Sequence, residues 1–133
     1  MSIITKEITK IYGKQKALDA VSMEVNAGEV VGLLGPNGAG KSTMMKIISC
    51  FLPPSSGSVE VDGFDILQQE LEVKKRVGYL PENNPLYLDM YVREYLGFLA
   101  GIHKLGRKKN VRINEIIDIT GLGLEQNKKI GAL

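Results

Sequence analysis

Val30-Val31-Gly32-Leu33-Leu34-Gly35-Pro36-Asn37-Gly38-Ala39-Gly40-Lys41-Ser42-Thr43 runs from consecutive apolar residues into a glycine-rich turn that closes on Lys-Ser-Thr. Apolar residues at successive positions 30–34 predict a central strand covered on both faces. From Lys41 to Leu52 the residues Met44, Met45, Ile47, Ile48, Phe51 and Leu52 fall at helical spacing, and Pro53-Pro54 is the expected stop. Strand, loop and helix in that order frame a match to G-x-x-x-x-G-K-[ST] without a mismatch. A triphosphate calls for several converging backbone N–H donors, so the chain must curl tightly. Glycines at 35, 38 and 40 permit that and keep Cβ atoms out of the way. The helix adds its N-terminal dipole and free N–H groups. Lys41 supplies a mobile positive charge for the β- and γ-phosphates, Ser42 a hydroxyl for Mg²⁺, and Thr43 a hydrogen bond to the α-phosphate. The plain alternative, a glycine turn before a helix, gives no reason for a buried strand on one side and a Lys-Ser pair on the other.

On the N-terminal side, Ile3 to Tyr12 and Leu18 to Val25 alternate apolar with polar residues around the turn-like Gly13-Lys14-Gln15-Lys16, which predicts an antiparallel pair. On the C-terminal side, Gly57 to Asp62 alternates, with a turn at Asp62-Gly63. Asp65 to Lys75 reads as a short helix and Arg76 to Leu80 as a β run ending at Pro81. Beyond Pro85 the period becomes helical, over Tyr91 to Ile102 and Lys108 to Thr120, with Gly121 ending the second helix. The expected fold class is therefore α/β of the phosphate-loop NTPase type over 1–83, followed by a mostly helical part over 84–133.

Composition narrows the function classes. The chain has 133 residues, 44% of them hydrophobic, enough for one core and too evenly mixed for disorder. Its 17 basic and 15 acidic residues leave a net charge of +2, so no global field points to nucleic acid or an anionic membrane surface. Cys50 is the one cysteine and cannot form an intramolecular disulfide; its apolar setting predicts a core residue in a reducing, cytosolic compartment. No apolar run approaches the roughly 18 residues of a spanning helix. Any action on a membrane must go through a partner chain.

The flanks of the loop resemble one family closely. Tyr12-Gly13, Leu18-Asp19-Ala20-Val21-Ser22-Met23-Glu24-Val25, and Gly28-Glu29 through Thr43 are similar to the start of an ATP-binding-cassette (ABC) nucleotide-binding subunit, as are Leu52-Pro53-Pro54-Ser55-Ser56-Gly57-Ser58-Val59 and Asp62-Gly63. Val77-Gly78-Tyr79-Leu80-Pro81-Glu82 and Met90-Tyr91-Val92-Arg93-Glu94-Tyr95-Leu96 resemble the exporter subfamily of multidrug, sodium and gliding-motility ATPases. The resemblance implies a nucleotide-binding set of Tyr12 with Gly35, Pro36, Asn37, Gly38, Ala39, Gly40, Lys41, Ser42 and Thr43. In it Tyr12 stacks on adenine, a contact worth about 1 to 3 kcal/mol per base. Glu82 stands where the family has a glutamine that touches Mg²⁺ and the attacking water. The departure puts the direct catalytic contact in question, while a carboxylate can still ligate Mg²⁺; a simple turn residue is the other reading.

The resemblance further implies ATP and Mg²⁺ as ligands, a membrane permease and a second ATP-binding subunit as partners, and a peripheral place on the cytoplasmic side of the membrane. Parts of that machinery are not among these residues. No apolar strand ending in Asp-Glu follows the phosphate loop, and neither the Leu-Ser-Gly-Gly-Gln signature nor the switch histidine is present. His103, Lys104, Arg107, Lys108 and Lys109 read as solvated surface. The expectation is a subunit cut before the signature, inactive by itself, whose segments Val30-Leu34 and Val77-Leu80 lie about 14 Å apart with unpaired edges. A soluble ABC-type ATPase unconnected with transport and a non-hydrolysing nucleotide-binding module remain open beside the transporter reading.

Overall fold

The alternating N-terminal segments form β1 (Ile3–Tyr12) and β2 (Gln15–Val25), an antiparallel hairpin that pairs Ile3 with Val25 and Tyr12 with Gln15. The computed structural model describes residues 1–133 throughout, and they divide into two compact units, Met1–Leu80 and Pro81–Leu133. Within the hairpin the ladder is irregular between Thr5 and Ile11, and Glu7 and Ala20 both adopt φ 49°. Side chains satisfy the displaced backbone there. The Glu7 N–H donates to Ser22 Oγ (2.9 Å) and the Ala20 N–H to Thr9 Oγ1 (3.0 Å). Such irregularities strengthen the strand twist, which lets the sheet curl over a helix.

The other edge of β1 takes β3 (Ser56–Val61), with Thr5 opposite Val59, and β3 turns at Asp62-Gly63 into the two-residue β4 (Phe64–Asp65). The sheet order is β2-β1-β3-β4. One face packs on α1 (Lys41–Ile48) and α2 (Glu70–Lys74), giving a core of Ile8, Leu18, Met44, Ile47, Val59, Val61, Ile66 and Val73. Each such buried aliphatic side chain contributes about 1.5–3 kcal/mol relative to exposure. The one buried polar residue, Thr5, is satisfied by the Met23 N–H at 2.9 Å. Asp65 starts the approach to α2 by accepting the N–H groups of Leu67 (2.8 Å) and Gln68 (2.9 Å) on Oδ1.

Three expectations need correction. The helix after the loop ends at Ile48, well before Pro53-Pro54, and the Asp65–Lys75 helix is confined to Glu70–Lys74. Neither Val30-Leu34 nor Val77-Leu80 is a strand. An extended segment becomes a strand only through a ladder, and these two segments pair neither with the four strands of the sheet nor with each other. The segment read as covered on both faces is open: Val30 and Leu34 are almost wholly exposed, as is most of Leu80.

The second unit holds α3 (Val92–Ile102) and α4 (Lys109–Ile119), linked by the 3₁₀ turn Gly106–Lys108. Ala100, Ile113 and Ile117 form its core, with Leu96, Leu105 and Leu122 around them. The Tyr91 N–H donates to Glu94 at the start of α3 (3.2 Å), and Arg93 reaches Gln126 (2.5 Å) and Asn114 (2.7 Å). No helix in the chain is long and apolar enough to cross a membrane.

Candidate functional site: the glycine loop and the end of the first strand

The loop from Gly35 to Gly40 turns twice before α1 begins. The Ala39 N–H donates to Pro36 O (3.2 Å), and Gly38 and Gly40 take φ 83° and 82°, a region that L residues with a side chain rarely occupy. Gly40 is the residue before the helix, and the first bond of the helical ladder runs from the Met44 N–H to Gly40 O (2.9 Å). The N–H groups of Lys41, Ser42 and Thr43 therefore have no partner within the helix. No acidic residue stands in this first turn to compete for them.

Gly40 also explains how the loop is seated. A Cβ there would lie 2.2 Å from Ala17 O and 2.7 Å from Leu18 Cδ2, so the loop touches β2 backbone to backbone. Opposite, a Cβ on Gly35 would meet Ala39 Cβ at 3.3 Å and Lys41 Cδ at 3.9 Å, inside the curl of the loop. Lys41 bends back over that curl and its ammonium donates to Gly35 O (2.5 Å) and Pro36 O (2.7 Å). A positive charge, three free N–H groups and the helix dipole thus share one mouth, with the Ser42 side chain exposed and Thr43 half-buried beside it.

Tyr12 ends β1 in the same unit, 48% exposed. The ammonium of Lys10 lies 5.5 Å from the centre of its ring and also donates to Pro53 O (2.7 Å). No motif includes Lys10; its i, i+2 spacing from Tyr12 on one strand is the only sequence sign of it. Glu82 belongs to the other unit, exposed and outside any helix or strand. Cys50 is half-buried against the sheet core, where desolvation first and the nearby Glu70 charge second push its thiol above the ordinary range. His103 is on the surface.

The residues fit a nucleoside triphosphate. The loop's donors are N–H groups and an ammonium, and a side chain at Gly35 would crowd the inside of the curl. For a divalent cation the start of α1 offers two hydroxyls, the exposed Ser42 and the half-buried Thr43, and no three His, Cys, Asp or Glu side chains gather anywhere in the chain as a metal cage. That donor set suits Mg²⁺, which takes few protein ligands and fills its shell with phosphate oxygens and water.

The ABC transporter family profile matches residues 18–133, and the chain belongs to that family. It is 36% identical over 132 residues to the bacitracin transport ATP-binding protein BcrA of Bacillus licheniformis, covering 97% of this chain and 42% of that protein. To the ABC transporter ATP-binding protein NatA of Bacillus subtilis (strain 168) it is 40% identical over 118 residues, covering 87% and 48%. A solved dimeric ATP-binding cassette in a post-hydrolysis state, bound to ADP and Pi, superposes with a TM-score of 0.81 at 26% identity over 98% of this chain and 62% of that one. The chain spans less than half the length of these two curated relatives. The fold is accordingly that of the N-terminal part of an ABC ATPase, an α/β phosphate-loop protein.

Proposed function

We propose that this chain is the nucleotide-holding part of an ABC transporter's ATP-binding subunit, which couples ATP binding and hydrolysis to transport through a partner permease. The observation that carries the reading is the loop mouth, where the Lys41 ammonium, 2.5 and 2.7 Å from two loop carbonyls, meets the open N-terminus of α1. In this reading Gly35, Pro36, Asn37, Gly38, Ala39 and Gly40 wrap the phosphates with backbone N–H groups. Lys41 stabilises charge on the β- and γ-phosphates, Ser42 ligates Mg²⁺, and Thr43 holds the α-phosphate. Tyr12 stacks on adenine. Glu82 takes the place of the family's glutamine as a ligand of the cation.

Residues 1–83 then form the nucleotide-binding portion and 84–133 the start of a helical portion of one domain. The protein works as a pair of ATP-binding subunits, peripheral on the cytoplasmic side of the membrane, without nucleic acid. BcrA and NatA, both ATP-binding proteins of transporters by name, support transport over a soluble ATPase. Turnover belongs to the whole protein; these 133 residues contain no strand-end Asp-Glu pair to activate water, and by themselves are expected to hold nucleotide without turnover.

Lys41→Ala in the full-length protein should lower kcat/KM for ATP by about 10²-fold or more, the scale of losing one preorganised donor to developing charge. Steady-state hydrolysis and nucleotide binding measured together check it. Unchanged values for both would remove the loop from the mechanism.

A further inference from the structure

Tyr12 sits at the exposed end of β1, with 48% of its surface in solvent, so ordinary packing does little to fix its ring. A ring that must stack on a base loses rotamer freedom on binding unless something has already restricted it. Lys10, two residues back on the same strand, places its ammonium over this ring at 5.5 Å, within the range of a cation–π contact. The ammonium is itself held by Pro53 O at 2.7 Å. Pro53 belongs to the segment between α1 and β3, and that segment is tied to β1 next door. The Ser55 N–H donates to Thr9 O (2.8 Å) and the Ile11 N–H to Ser55 Oγ (3.1 Å). A lysine stem usually keeps its rotatable bonds free; this one is fixed at the backbone and at its tip.

We propose that Lys10 is a positioning residue for the nucleobase: anchored by Pro53, its ammonium occupies one face of the Tyr12 ring and presets the ring so that the opposite face receives adenine. The inference rests on the reading of Tyr12 as the base platform. It assigns Lys10 to the base and not to the phosphates, which are the business of Lys41 and the loop. Lys10 also links the platform to the chain leaving α1, so both ends of the nucleotide are referred to one helix.

The test separates base from phosphate. In the full-length protein, Lys10→Met keeps the apolar stem and removes the charge. The affinity for a ribose-labelled fluorescent ATP should fall about 2- to 10-fold, the scale of one side chain no longer preordered. The affinity for inorganic tripolyphosphate, measured by displacement, should stay as in the wild type. Lys10→Arg should recover most of the loss, since a guanidinium can stack on the ring and donate to Pro53. In a Tyr12→Ala background Lys10→Met should cost nothing further. Equal losses for ATP and tripolyphosphate, an undiminished loss in the Tyr12→Ala background, or wild-type ATP affinity in Lys10→Met would each overturn the role given to Lys10. Wild-type ATP affinity in Tyr12→Ala alone would instead bring down the platform itself, and the proposal with it.

Discussion

Gly40 shows how much one residue settles. The pattern of the loop makes 35, 38 and 40 look equivalent, since all three are glycines in a phosphate curl. Their surroundings separate them. Gly38 and Gly40 share a left-handed backbone, yet a Cβ on Gly38 would meet open space and one on Gly40 would strike Ala17 O at 2.2 Å. Gly38→Ala should therefore cost only the left-handed penalty, about 1–2 kcal/mol. Gly40→Ala should cost that plus a backbone displacement, about 3 kcal/mol or more in all. Urea unfolding of the two variants measures the difference, and equal midpoints would mean that the loop does not rest on β2. The glycine turn and the start of α1 after it were legible from spacing alone. The turn's seat on β2 was not, because a contact between segments far apart in sequence leaves no local pattern. Cys50, expected in the core, is half-buried against it, and partial desolvation raises its thiol pKa.

At the level of elements, the three longer helices end in one way. After α4 the Gly121 N–H bonds to Asp118 O (3.2 Å) and the Leu122 N–H to Ile117 O (3.0 Å), with Gly121 at φ 70°. After α1 the Cys50 and Phe51 N–H groups bond to Ile47 O (3.0 Å) and Lys46 O (2.8 Å), with Cys50 at φ 58°. After α3 those of Lys104 and Leu105 bond to Gly101 O (3.0 Å) and Ala100 O (3.0 Å), with Lys104 at φ 53°. All three are Schellman closures, and Leu105 and Leu122 supply the apolar contact that accompanies them. Only the α4 closure has glycine at the left-handed position, so only that cap showed in the sequence, although the end of α3 at Ile102 was read from the helical period. For α1 the proline pair was the visible stop, while the cap that ends the helix earlier uses a cysteine. Lys104→Gly should raise stability by about 0.5–1 kcal/mol by relieving the left-handed strain, read as a higher urea midpoint. A lowered midpoint would mean that the Lys104 side chain does more than occupy the cap. The two missing strands were misread for a different reason: apolar runs announce burial, but a ladder needs a neighbour that the pattern itself cannot supply.

At the scale of the molecule, the second unit presents its aromatics outward. Tyr87 is 59% exposed although its ring meets Tyr95 at 6.3 Å and Phe98 edge-on at 6.0 Å, and Tyr91 is 49% exposed. Rigid, half-open aromatic groups make favoured interface anchors, and we propose the segment Glu82 to Leu96, which carries both, as the contact with the permease. With Tyr87→Cys or Tyr91→Cys in the full-length protein, labelled at that thiol with a maleimide-benzophenone, irradiation should join it to a co-expressed permease; absence of any cross-link from either position would argue against docking there. The first unit carries a consequence of another kind. β1 lies between β2 and β3, and its last residue is Tyr12, while the phosphate loop rests on β2 through Gly40. Each residue of a strand advances about 3.3 Å, close to the thickness of a stacked ring, and turns the next side chain to the other face. On the function proposed above, the hairpin is a ruler between ring and phosphates: lengthening or shortening its tip by one residue would move or invert the platform without touching the loop, so affinity for the base could drift while the grip on polyphosphate stays constant.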